Sequence, residues 1–156
     1  MEDHGSPALR HLLARAPEAV QGTHAQLGDA TAVVAAERLP DVLRLLRDDP
    51  ELGFEMLVDV TCVDHLGEEP RFEVVYHLYS VAKNHRVRLK VRVAEAAPEV
   101  PSAVPLYVSA DWMEREVFDL YGVRFRGHPD LRRILLYDGF EGHPCARTTP
   151  RRGGSP

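Results

Sequence analysis

Four carboxylates and two histidines occupy the positions where chemistry would first be sought in this chain. Glu114, Glu116 and Asp119 share one helical run, and His128, Asp130 and His143 follow it, each of these histidines inside a Gly-His-Pro triplet. A carboxylate pair is a common device for general acid–base catalysis, which needs one member protonated near neutrality. Arg115, Arg132 and Arg133 lie among or just beyond these carboxylates, and neighbouring positive charge keeps a carboxyl ionised. Structural ion pairing is therefore the better reading. His128, Asp130 and His143 suggest a small metal-dependent hydrolase, but the histidines lack the close spacing of a zinc site. The proline after each also favours extended backbone. There is no Gly-rich phosphate loop and no serine or cysteine in a nucleophile motif. Cys62 and Cys145 are far apart in sequence, in no metal or redox pattern, and Cys62 is expected to be buried and inert.

The element that must position these groups runs from Asp111 to Leu136, DWMEREVFDLYGVRFRGHPDLRRILL. Asp111 followed by Glu114 resembles a capping box and predicts a helix start, and Gly122 predicts its end. About three turns fit between them. On the helical wheel Met113, Val117, Leu120 and Tyr121 form an apolar stripe extended by Phe118, with Arg115, Glu116 and Asp119 opposite. Glu114 falls inside the apolar arc. An unpaired buried charge is expensive, so the segment after Gly122 is expected to fold back and bring Arg132 or Arg133 to Glu114 or Glu116. The mixture of Trp112, Phe118, Tyr121, Phe125, Arg126, Arg132 and Arg133 is of the kind enriched where proteins bury against proteins.

Upstream, the chain reads as scaffold. Pro7 to Ala16 has a helical pattern with Leu9, Leu12 and Leu13 on one face, and Ala30 to Ala36 reads as a strand. Pro40 opens a second helix through Val42, Leu43, Leu45 and Leu46, closed by Pro50. Strand-like runs follow at Glu55–Val63, Arg71–Ser80 and Arg86–Val93, joined by hairpin-compatible Gly67–Pro70 and Ala82–His85. In the third run Val87, Leu89, Val91 and Val93 alternate with Arg86, Arg88, Lys90 and Arg92. One face is core; the basic face is either solvated or docked on an acidic partner. Short links between consecutive strands require antiparallel pairing. The pattern predicts a single α+β domain with an antiparallel or mixed sheet of about four strands, flanking helices and an irregular C-terminal extension.

Composition agrees. The 156 residues are 44% hydrophobic and 28% charged, enough for one ordinary core. A net charge of −5 argues against nucleic acid as the main partner. No run is long and apolar enough to span a bilayer, and MEDHGSP lacks a signal-peptide pattern, so a cytosolic site or the cytosolic face of a larger assembly is expected.

The run Glu114-Arg115-Glu116, Asp119, Gly122, Gly127-His128-Pro129-Asp130-Leu131-Arg132-Arg133-Ile134-Leu135 resembles the signature of the 30-kDa subunit family of proton-translocating NADH:quinone oxidoreductase, respiratory complex I. RFEVVYHLYS at 71–80, NHRVRLKV at 84–91, Val100-Pro101-Ser102 and Glu141-Gly142-His143-Pro144 resemble the same family, and the likeness covers roughly Leu52 to Pro144. The resemblance implies a non-catalytic α+β subunit of the peripheral arm on the cytoplasmic side of a bacterial inner membrane. It would hold no cofactor, with FMN and iron–sulfur clusters in partner subunits. It would pack chiefly against the large quinone-site subunit and iron–sulfur subunits, and would belong to an enzyme only as part of the assembly. Membrane-bound hydrogenases and related quinone-linked dehydrogenases carry equivalent subunits, so the resemblance leaves the electron donor open.

The likeness breaks after Pro144. The family continues Leu-Arg-Lys-Asp-Tyr-Pro, whereas this chain reads Cys145-Ala146-Arg147-Thr148-Thr149-Pro150. Losing the first nucleotide of CTG CGC AAG GAC TAC CCC converts one reading into the other. The expected division is a domain over 1–144 and a frame-shifted, disordered tail over 145–156, lacking a docking segment that the family uses.

Overall fold

The computed structural model describes residues 1–146. The expected tail lies outside the described residues from Arg147 onward. Helix α1, Pro7–Arg15, starts as its sequence predicts: Ser6 Oγ accepts from Leu9 N, proline sits at the helix start and Arg15 ends it. It buries Ala8, Leu9 and Leu12. Helix α2, Leu39–Asp48, follows a 3-10 turn and buries Leu39, Val42, Leu43 and Leu46. Each such leucine contributes about 1.5–3 kcal/mol relative to exposure; truncating Leu43 to alanine would cost about 2–5 kcal/mol.

The main sheet has five strands, one more than expected: β1 Val20–His24, β2 Thr31–Val34, β3 Met56–Asp64, β4 Phe72–Ser80 and β5 His85–Val93, in the order β1-β2-β5-β4-β3. β3, β4 and β5 form the expected antiparallel meander, β1 pairs antiparallel with β2, and β2 runs parallel to β5. The extra strand is β1, which carries a register irregularity between Val20 and Gly22 and has no clean alternation. A second ladder pairs β6, Glu99–Pro101, with β7, Arg124–Arg126, in parallel. It joins the stretches flanking α3, Ala110–Tyr121.

The core face of the meander is Phe72, Val74, Tyr76 and Leu78 opposite Val93, Val91, Leu89 and Val87, packed in one cluster with the leucines of α1 and α2. The other face carries Glu73, Val75, His77 and Tyr79 opposite Arg92, Lys90, Arg88 and Arg86. Most of its basic residues are answered within the chain. Arg88 reaches Thr31 and Asp29, Lys90 lies 3.0 Å from Glu73, and Arg92 pairs with Glu68. Arg86 differs, stacking its guanidinium over the Tyr79 ring at 5.6 Å. Across the β3–β4 hairpin, buried Arg71 forks onto Asp64 at 2.7 and 2.8 Å and also meets Glu95. α3 lies along β3, the edge strand, where Ser109 Oγ donates to Leu57 O at 3.1 Å. A helix over an edge strand blocks edge-to-edge pairing.

Candidate functional site

The residues singled out above converge on α3 and the irregular segment 127–146 that returns along it. The helix begins at Ala110 after Ser109, without a side-chain cap, so Asp111 lies in the first turn rather than capping it. The capping-box expectation fails because the carboxylate has another neighbour. His128, its side chain fully buried, donates from Nε2 to Asp111 O at 3.0 Å and lies 3.2 Å from Asp111 Oδ1. The helix ends as expected at Gly122, whose φ of 81° is left-handed, and a Cβ there would sit 2.7 Å from His143 Cδ2. Both conditions select glycine.

Beyond Gly122 the chain folds back, but not onto Glu114. Arg133 Nη1 meets Asp119 Oδ1 at 2.9 Å, while Asp119 Oδ2 accepts from the backbone N–H of Ile134, Leu135 and Leu136 at 3.1, 2.8 and 3.0 Å. Burial pushes the Asp119 pKa up, and the Leu136, Leu135 and Ile134 amides with Arg133 outweigh it, leaving it below the ordinary carboxylate value. Arg115, also buried, donates to Arg132 O and Arg133 O and stacks over the Trp112 ring at 4.8 Å. Arg133 Nη2 reaches Gly142 O, His143 Nδ1 donates to Asp119 O, and Cys145 N donates to Leu120 O. The arc of α3 expected to face away from the core is thus covered by this segment. Arg115 and Asp119 are buried, whereas Met113, Leu120 and Tyr121 of the apolar stripe are half-buried.

Glu114 forms no arginine pair among the described residues. Its side chain is fully buried, accepting from Ser102 Oγ and Ala103 N, both at 2.6 Å. Burial, only partly offset by these bonds and reinforced by Asp111, pushes its pKa up to about 7. The expected ion pair fails because the wheel identifies the buried arc without identifying what meets it: the 102–103 turn occupies the place an arginine would need. Sequence reasoning missed Ser102 and the three amides that hold Asp119. Ser102 does lie in the Val100-Pro101-Ser102 run; the amides leave no trace in residue type.

The remaining predicted residues stand apart. Glu116, Pro129 and Asp130 are exposed, and Arg132 pairs with Asp130 at 2.8 Å. His128 Nδ1 accepts from Asp130 N, so both of its ring nitrogens are engaged. The hydrolase arrangement of His128, Asp130 and His143 around one ion is not formed. Among the described residues no group of three or more His, Cys, Asp and Glu side chains is placed to hold a metal. Cys62 is buried, and burial pushes its thiol up to about 12, which keeps it unreactive. Beside these charged groups the region also offers solvent large apolar side chains: Trp112 at 64%, Leu135 at 59% and Tyr137 at 72% exposure.

This is the architecture of an α+β domain that spends its polar groups on fastening a loop. The family described as "Respiratory-chain NADH dehydrogenase, 30 Kd subunit" matches residues 32–154, beginning well before Leu52, where the motif likeness begins. The chain belongs to that family. It is 49% identical over 142 residues to an NADH-quinone oxidoreductase subunit of Roseiflexus castenholzii, covering 91% of this chain and 82% of the relative. The corresponding protein of Caulobacter vibrioides is 50% identical, with 91% and 71% covered. Among solved structures, the trypsin-resistant fragment of Nqo5 is similar, with a TM-score of 0.70 and 32% identity, covering 80% of this chain and 99% of that one. A chain of the membrane-bound sulfane sulfur reductase, an archaeal respiratory membrane complex, shares the fold with a TM-score of 0.68 and 24% identity, over 84% and 75%.

Proposed function

We propose that this chain is a non-catalytic structural subunit of an NADH:quinone oxidoreductase, docking the quinone-site and iron–sulfur subunits in the peripheral arm. The observation that carries the reading is the fastening of residues 133–136 by Asp119, which leaves Leu135 and, just beyond it, Tyr137 exposed on the same returning segment. Exposed aromatic side chains on a fixed backbone suit a protein interface. The chain would hold no cofactor, and electrons would pass through FMN and iron–sulfur clusters in the partners. Among the described residues no helix is long and apolar enough to cross a membrane. Association with the cytoplasmic face of the inner membrane would then be indirect, through those partners.

The test is to tag the chain in its host, solubilise the membranes gently, and identify the co-purifying proteins while assaying quinone-dependent NADH oxidation. Recovery of iron–sulfur partners and activity supports the reading. The double variant Trp112→Ala/Tyr137→Ala is expected to keep its fold and lose partners; unchanged partner stoichiometry would discard this surface as the dock. Partners and activity with a donor other than NADH would assign the chain to a related quinone-linked or hydrogenase-type complex.

A further inference from the structure

Beside the start of α1 and the N-terminal loops, the outer face of the main sheet sinks into a cleft of about 850 Å³. Its floor includes the cross-strand row Met56–Tyr79–Arg86 and the neighbouring row Asp59–His77–Arg88. Two exposed apolar side chains stand in it, Met56 at 46% and Val58 at 53% exposure. Leu27 lies in the loop whose Ala25 and Gly28 form part of the cleft wall. It is fully exposed and held at φ 57°, ψ 23°. A leucine in that left-handed conformation is strained, because its Cβ crowds the neighbouring carbonyl oxygen. Among the described residues, its side chain packs against nothing that offsets the strain.

Charge adds a direction. Arg88, Lys90 and Arg92 of β5 each have a carboxylate partner, whereas among the described residues none forms an ion pair with Arg86. Its guanidinium rests on Tyr79, the aromatic that also borders Met56 across the strands. An arginine so placed, beside exposed Met and Val side chains, complements an apolar residue next to a carboxylate.

We infer that this cleft receives an extended segment of a neighbouring subunit, setting an apolar side chain against Leu27, Met56 and Val58 and a carboxylate on Arg86. The inference rests on the proposed role within an oxidoreductase assembly and adds a second docking face, on the opposite side of the sheet from the helical core. The helix α3 surface and the cleft would then engage different parts of the assembly.

The test uses the full chain in its assembled complex, with a benzophenone amino acid replacing Leu27, Val58 or Tyr137 in turn. Irradiated membranes are expected to give adducts to another subunit from Leu27 and Val58. Arg86→Glu should lower these yields roughly 10- to 100-fold, as expected for losing a charge-assisted contact, and leave the Tyr137 adduct unchanged. Leu27→Asn, tolerant of the left-handed backbone, should raise the melting temperature of the free chain and also weaken cleft cross-linking. Adducts from Tyr137 but none from Leu27 or Val58 would overturn the cleft proposal and leave the oxidoreductase role standing. Adducts only to a second copy of this chain would overturn it as well. A chain recovered alone, with no adduct from any position, would overturn both.

Discussion

Two carboxylates on α3, Glu114 and Asp119, are both fully buried, yet the protein treats them oppositely. Asp119 is given a guanidinium and three backbone amides, and its pKa falls. Glu114 is given one hydroxyl and one amide, and its pKa rises to about 7. Burial raises both; the number and charge of donors decide which side wins. Asp119 is therefore an ionic fastener for the C-terminal segment. Glu114 is close to a neutral hydrogen-bonding pin, tying α3 to the 102–103 turn.

The largest expected effect comes from breaking the ionic side. Asp119→Ala strands Arg133 and the Ile134, Leu135 and Leu136 amides, and should destabilise the chain by about 3–5 kcal/mol in denaturant unfolding. Proteolysis should then start within 127–146. A loss below about 1 kcal/mol would mean that water replaces the carboxylate readily.

The neutral side predicts a pH dependence of opposite sign. Between the ordinary value of 4.5 and about 7 the unfolded chain releases the Glu114 proton while the folded chain keeps it, so stability falls as pH rises. The full difference is about 3 kcal/mol, on the order of 1.4 kcal/mol per unit. In Glu114→Gln the amide oxygen accepts from Ala103 N and the amide nitrogen donates to Ser102 Oγ. The variant should therefore lack this dependence and be more stable than the parent at pH 8. A parent curve flat from pH 5 to 8 would show that Glu114 ionises normally. Asp119 contributes in the reverse sense, its stabilisation present above the carboxylate range and lost as pH falls.

Gly122→Ala tests how the segment is aimed at Asp119. Left-handed backbone alone costs a non-glycine residue about 1–2 kcal/mol, and the added methyl would also displace the His143 ring. Melting temperature and the His143 imidazole signals should shift together. The smallest effect belongs to Glu116→Ala, an exposed change on the same helix, expected within about 0.5 kcal/mol of the parent. A larger loss would place Glu116 in a network with the buried pair.

Where sequence reading succeeds, it does so through local periodicity. The alternation from Arg86 to Val93, the leucines of α1 and α2, and Gly122 are all legible because each residue's role is set within one turn or one strand. β1 is not, since Gly22 and its irregular register break the alternation. β6 and β7 are three residues each and exist only as partners across α3. The expected fold-back of the chain past Gly122 occurs, and an arginine does meet a carboxylate there, but the pair is Arg133 with Asp119. A wheel ranks positions by what the core wants and says nothing about a loop that covers the opposite arc. The family motif locates that loop, while its geometry comes from amides common to every residue type.

The fastening of residues 134–136 also governs when the entropy of ordering is lost. Asp119 fixes that backbone as the chain folds, so on the proposed role a subunit meeting this segment would find its backbone already ordered and would bind with less further ordering. The same three amide protons form a built-in gauge. Their exchange with solvent would report the opening of this segment, and a partner bound at Leu135 and Tyr137 would slow it.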